Sequence, residues 1–178
     1  CVPSTYETVS ASLPTPRVRD GAPLRPGPLL SEITPNWAKG WEFTKDAKEF
    51  YLYLREGVRW SDGHRLTTAD FIFWFKHVYE NPRLSPTGAE APWESVKKLT
   101  AVDEFTLKYE FKKPRPLFIN WLANQGGGRG GYLQPKHFLK QFHPAFTPED
   151  ELEEMVNELG LDNWMTLFNR AAKQQITK

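Results

Sequence analysis

The sequence is poor in the residues on which many small folds and enzymes depend. It holds one cysteine, Cys1, so no intrachain disulfide and no cysteine-based zinc site can form. A cysteine at the first position reads either as the lipid-modified start of a lipoprotein or as a boundary of the sequence. An excess of one charge is also missing. Twenty-three Lys and Arg stand against 22 Asp and Glu, a formal net charge of +1. That is no electrostatic footprint for nucleic acid. No apolar run approaches the roughly 20 residues of a membrane-spanning helix. The four histidines, His64, His77, His137 and His143, show no metal spacing on one helix face, so capping or surface roles are expected and no cofactor is. There is no Gly-x-Ser-x-Gly elbow and no Walker-type Gly-Lys-Ser/Thr. Gly126, Gly128 and Gly131 satisfy G-x-G-x-x-G, but that motif cradles phosphate only between a strand and a helix N-terminus. Here a helix precedes it, and the segment reads as a loop.

What is present is a globular composition with dense aromatics: 39% hydrophobic, 25% charged, 14% aromatic and seven tryptophans. Residues 1–36 form an extended Pro-rich segment with no sustained period, anchored by Tyr6, Val9, Leu29, Leu30 and Ile33. Its prolines rule out a regular helix. Residues 37–178 read as one α+β unit. Residues 41–44 and 50–55 are β-rich runs around a polar turn, a hairpin. Trp60, Ser61, Asp62 and Gly63 form a second turn, with Gly63 free to take positive φ. Thr67 stands three residues before Asp70, the spacing of a capping box, and opens a helix whose apolar stripe runs from Phe71 to Tyr79. Asn81-Pro82 ends it. Phe105, Leu107, Tyr109 and Phe111 alternate with polar residues and pair with residues 96–102 as a second hairpin.

Short helices follow over residues 116–123 and 135–142. Thr147, Pro148 and the acids after them start another, with Leu152, Met155, Val156 and Leu159 as its buried face and Gly160 as its stop. Asp162 is expected to cap a last helix carrying Trp164, Leu167, Phe168 and Ala171. The order predicts an α+β fold: an antiparallel sheet of two hairpins packed with several helices.

Carboxylates such as Asp62, Asp70, Glu90 and Glu94 leave a stand-alone hydrolase working through two of them open. Asp62 and Asp70 each already have a turn or cap role, and the acids from Glu149 to Glu154 read as a solvated face. Composition and spacing alone stop at an α+β domain.

Residues 41–79 carry more. A Trp-led strand at Trp41 is followed by Leu54-Arg55-Glu56-Gly57-Val58-Arg59-Trp60, then Ser61-Asp62-Gly63, then Leu66-Thr67-Thr68-Ala69-Asp70 opening an aromatic helix. This resembles the signature segment of bacterial extracellular solute-binding proteins of family 5, the oligopeptide-binding class. Residues 96–111 with Lys113-Pro114 resemble the family's next hairpin. Leu133-Gln134-Pro135-Lys136-His137-Phe138 resembles its later Pro-Lys-His segment, and Tyr6-Glu7-Thr8 the stretch before the first hairpin.

The resemblance implies the smaller subdomain of a two-lobed, class II periplasmic-binding-protein-like fold, here as a fragment. It implies no enzyme but the substrate-binding component of an ABC importer, located in the periplasm or outside the cell. Its partners would be a peptide or oligosaccharide ligand and the membrane subunits of an ABC permease, with no nucleic acid, and the protein would be monomeric. A sensor or chaperone domain on the same fold is the further alternative. The loop after the aromatic helix is expected near the ligand cleft, which nominates Ser85, Pro86, Thr87 and Trp93. The glycine-rich loop adds Gly126, for close backbone approach, and Arg129, for a ligand carboxylate. Trp93 has packing against the second hairpin as its competing role. Trp41, Trp60 and Trp74 are expected in the core, each worth on the order of 2–3 kcal/mol by burial.

Overall fold

A computed structural model describes residues 24–26, 33–60, 62–86, 93–124 and 133–174. Within the Pro-rich opening two short strands pair antiparallel, β1 (Leu24–Pro26) and β2 (Ile33–Pro35). Strands of three residues leave too little length for a readable period. Pro26 and Pro35 sit at strand ends, where a missing N–H is tolerated. Ile33 packs against the main core as an anchor; Tyr6, Val9, Leu29 and Leu30 lie outside the described residues.

Four longer strands follow: β3 (Ala38–Phe43), β4 (Glu49–Leu54), β5 (Val96–Ala101) and β6 (Thr106–Phe111). β3 pairs with β4 and β5 with β6, as the alternating patterns require. The two hairpins then join through β4 and β6 into one antiparallel sheet, in the order β3-β4-β6-β5. Phe50, Leu52 and Leu54 of β4 and Leu107, Tyr109 and Phe111 of β6 point inward and are buried. The opposite face is polar. There Lys108 Nζ lies 2.8 Å from Glu49 Oε1, and Tyr53 Oη donates to Glu42 Oε2 across 3.0 Å. One face is covered and one is wet, the form a period of two produces.

Helix α1 (Thr68–Phe73) starts with both halves of the expected capping box: Thr67 accepts from a backbone N–H of the first turn, and Asp70 accepts from Thr67 N–H. The helix does not continue as α. Residues Trp74–Tyr79 widen into a π-helix, closed by the Glu80 N–H on Phe75 O at 3.0 Å. Trp74 and Phe75 pack into the core behind the sheet while Phe73 packs into a second core. Helix α2 (Phe118–Asn124) covers the sheet, with the Phe118 ring 4.8 Å from Phe111 and 5.5 Å from Phe50.

The second core is built by α3 (Lys136–Leu139), a 3-10 turn over Lys140–Phe142, α4 (Glu149–Glu158) and α5 (Trp164–Gln174). Three local expectations are corrected here. Thr147 does not cap α4; its hydroxyl donates to Gln141 O at 3.0 Å, and Pro148 takes the cap position. Leu159 is 49% exposed. It is the last residue of the turn before Gly160 (φ +61) reverses the chain. Leu161 takes its place, with its N–H on Val156 O at 2.9 Å and Gly160 N–H on Asn157 O at 3.1 Å, the Schellman pairing with its apolar contact. The cap of α5 is Asn163, whose Oδ1 accepts from Thr166 N–H at 3.0 Å, one residue later than the expected Asp162.

Candidate functional site

The loop from Val58 to Leu66 is drawn tight by its own backbone. Arg59 and Arg65 form an antiparallel bridge, Trp60 N–H reaches His64 O at 2.7 Å and Gly63 N–H reaches Trp60 O at 2.8 Å. Gly63 has φ +86, a conformation costly for any residue with a Cβ. Asp62 Oδ1 accepts the His64 N–H at 3.0 Å, which leaves Oδ2 for a second partner.

Two carboxylates of this segment grip one distant stretch of chain. Asp62 Oδ2 lies 2.6 Å from His137 Nε2. Asp70 Oδ1 accepts the Lys136 N–H at 2.9 Å. Asp70 Oδ2 accepts Thr67 N–H at 3.0 Å and the Trp60 indole N–H at 3.4 Å. Asp70 is buried. Its burial pushes the carboxyl above the usual carboxylate range, against the pull of the backbone donors of Thr67 and Lys136. The His64 ring stacks on His137 at 3.9 Å, 17° from parallel. Around this junction opens a cleft of about 550 Å³ whose lining includes Arg59, His64, Arg65, Asp70, Lys136 and Lys140.

Asp62 and Asp70 therefore act as a turn and a cap that also staple residues 136–137 in place. Both carboxylates are engaged by structural bonds, which counts against their use as the acid pair of a hydrolase. Among the described residues no group of three or more His, Cys, Asp or Glu converges as metal ligands.

The nominated ligand residues are only partly on view. Ser85 closes the turn after the π-helix, with its N–H on Asn81 O at 2.8 Å, and Pro86 is exposed. Thr87, Gly126 and Arg129 lie outside the described residues. Trp93 is 7% exposed. Its ring meets Trp74 at 4.8 Å, Trp121 at 5.4 Å and Phe118 at 5.9 Å, all edge-on, so packing is a role its contacts fulfil. Trp60 and Trp74 are core residues as expected, while Trp41 is only half-buried at the sheet margin.

The cationic cleft was not legible as a site in the sequence. Its parts lie at residues 59–70, 104 and 136–140, and spacing on one helix cannot join them. The signal that was available is that Ser61-Asp62-Gly63 and Pro135-Lys136-His137 both lie in the segments that carry the resemblance.

A four-stranded antiparallel sheet, a capped aromatic helix and a stapled Pro-Lys-His segment define a piece of a periplasmic-binding-protein fold. A solved oligopeptide-binding protein OppA shares it at a TM-score of 0.66 and 36% identity, over 78% of this chain and 21% of that one. Residues 32–148 match the family model of bacterial extracellular solute-binding proteins, family 5, and the chain belongs to that family. It is 28% identical over 117 residues to a periplasmic alpha-galactoside-binding protein of Rhizobium meliloti, covering 65% of this chain and 16% of that protein. It is 30% identical over 108 residues to the periplasmic murein peptide-binding protein MppA of Escherichia coli, covering 52% and 20%. The chain thus spans about a fifth of the length of these relatives. They are binding proteins rather than enzymes.

Proposed function

We propose that this chain is part of the substrate-binding component of an ABC importer, which captures peptides or oligosaccharides outside the cytoplasmic membrane and delivers them to the permease. Family membership over residues 32–148 is the observation that carries the reading. It is supported by the names of the relatives, one for an alpha-galactoside and one for a murein peptide. The role is capture without turnover, and the engagement of Asp62 and Asp70 by His137, Lys136 and Trp60 counts against a hydrolase that would use that pair. The chain contributes residues 37–178 as one subdomain, and a second lobe completes the ligand cleft. Ser85, Pro86, Thr87, Trp93, Gly126 and Arg129 are the ligand-facing candidates on this side.

Calorimetric titration tests this. A longer chain with both lobes, and this chain beside it, are titrated with a di- to pentapeptide pool and then with galactosides. Tight binding by the two-lobed protein and little by this chain is expected, because one wall of the cleft is lost and each 1.4 kcal/mol is about tenfold in affinity. No binding by the two-lobed protein, or heat from steady turnover, overturns the reading.

A further inference from the structure

The cleft beside the staple gathers four cationic side chains, Arg59, Arg65, Lys136 and Lys140. Arg59 and Arg65 sit opposite each other across an antiparallel bridge. Lys136 and Lys140 are four residues apart, on one side of a helical turn. Like charges in both arrangements repel and destabilise, yet both pairs converge on a single open cavity of about 550 Å³. Only Arg65 is neutralised there, by Glu104 at 3.2 Å. The other lining carboxylate, Asp70, is saturated by three N–H donors. The Arg59 guanidinium donates to Gly63 O at 2.8 Å, and no carboxylate among the described residues pairs with Arg59, Lys136 or Lys140. Beside these cations the stacked imidazoles of His64 and His137 form part of the lining.

We propose that this cleft binds a phosphoryl or pyrophosphoryl group, held by Arg59, Lys136 and Lys140 beside the His64–His137 stack. A guanidinium fork with two ammonium groups is the set that recognises phosphate oxygens. A phosphoryl group brings about −1.5 to −2 charges, which answers about two of the three cations without a carboxylate partner, whereas one carboxylate answers a single cation. The group arrives either on a soluble phosphate ester or on an anionic lipid headgroup; the chemistry at the cleft is the same. None of these side chains is among the ligand-facing candidates Ser85, Pro86, Thr87, Trp93, Gly126 and Arg129, and the proposal stands whether or not that reading does.

The test follows the ring C–H resonances of His64 and His137 in the full chain as sodium pyrophosphate is added at constant ionic strength. Saturable shifts are expected, weakened about tenfold or more in a K136Q/K140Q variant, the effect of losing charged contacts. The K97Q/K98Q variant removes the same charge from the β5 edge and is expected to bind like the parent. The K136Q/K140Q variant should melt no lower than the parent without ligand, since it relieves repulsion, which separates lost binding from lost folding. Co-sedimentation with phosphatidic acid vesicles against phosphatidylcholine vesicles then names the source. Retention on the former that depends on Lys136 and Lys140 assigns a lipid headgroup; response to pyrophosphate alone assigns a soluble ester. Shifts that do not saturate, that sodium chloride reproduces, or that both double variants lose equally overturn the proposal.

Discussion

The backbone N–H of Lys136 is held by the carboxylate of Asp70 at 2.9 Å, across 66 residues of sequence. The same carboxylate closes the capping box of α1 and takes the Trp60 indole. One side chain thus ties a turn, a helix start and the entry to the second core.

Removal of that side chain is expected to act on stability. Asp70→Ala removes the acceptor shared by the Thr67 and Lys136 N–H groups and the buried Trp60 indole and should cost about 3 kcal/mol in urea unfolding. Asp70→Asn keeps the shape and part of the acceptor capacity, and should cost about 1–2 kcal/mol. Full stability of both variants would show that the staple is dispensable.

Acid should weaken the fold through His143. Its Nδ1 accepts the Ala145 N–H at 3.1 Å, so the proton sits on Nε2, 3.0 Å from His77 O. Burial holds His143 below the ordinary 6.5, and burial with nearby lysines does the same for His77. Below pH 6.5 the unfolded chain then binds more protons than the folded one, so stability falls as pH drops from 6.5 toward the lower folded values, and recovers above 6.5. Asp70 has the opposite sign: its raised pKa means stability is lost as pH rises from the unfolded 3.8 through the higher folded value. Urea midpoints measured from pH 7.5 to 5.5 should fall on acidification, and less steeply in His143→Gln. A flat profile in the parent chain would contradict this.

Trp93 separates packing from recognition. Trp93→Phe should lower stability by about 1–3 kcal/mol, and Trp93→Ala by about 3–5 kcal/mol. Unchanged stability with weakened solute affinity in the two-lobed protein would instead assign the ring to the ligand.

The helix cap is testable at adjacent residues. Asn163→Ala should cost about 1 kcal/mol, the value of a side-chain cap, and Asp162→Ala close to nothing. The reverse order in thermal melts would return the cap to Asp162.

Much of the fold was legible because its signals are local. β4 and β6 alternate strictly, so Phe50, Leu52, Leu107 and Tyr109 declare the buried face. Thr67 and Asp70 declare the helix start at the spacing their hydrogen bonds require. The π-helix from Trp74 to Tyr79 was not legible, because Trp74, Phe75, Val78 and Tyr79 fit an α stripe equally well and the widening serves two separate cores. Leu159 misled for a related reason: it has the right spacing, but Gly160 takes the chain away before Leu159 can pack. The union of the two hairpins through β4 and β6 is set by a shared core rather than by any turn. The cleft depends on side chains from three separate segments that only the folded chain brings together.

The helix that widens at Trp74 has a consequence for how the molecule comes apart. Phe71, Trp74 and Phe75 belong to the core behind the sheet, Phe73 belongs to the helical core, and Val78 touches both. Melting either half strips apolar cover from a helix the other half needs. The two cores therefore share one cooperative transition instead of fraying in turn, and damage to the C-terminal helices is felt at the sheet, far from where it is made.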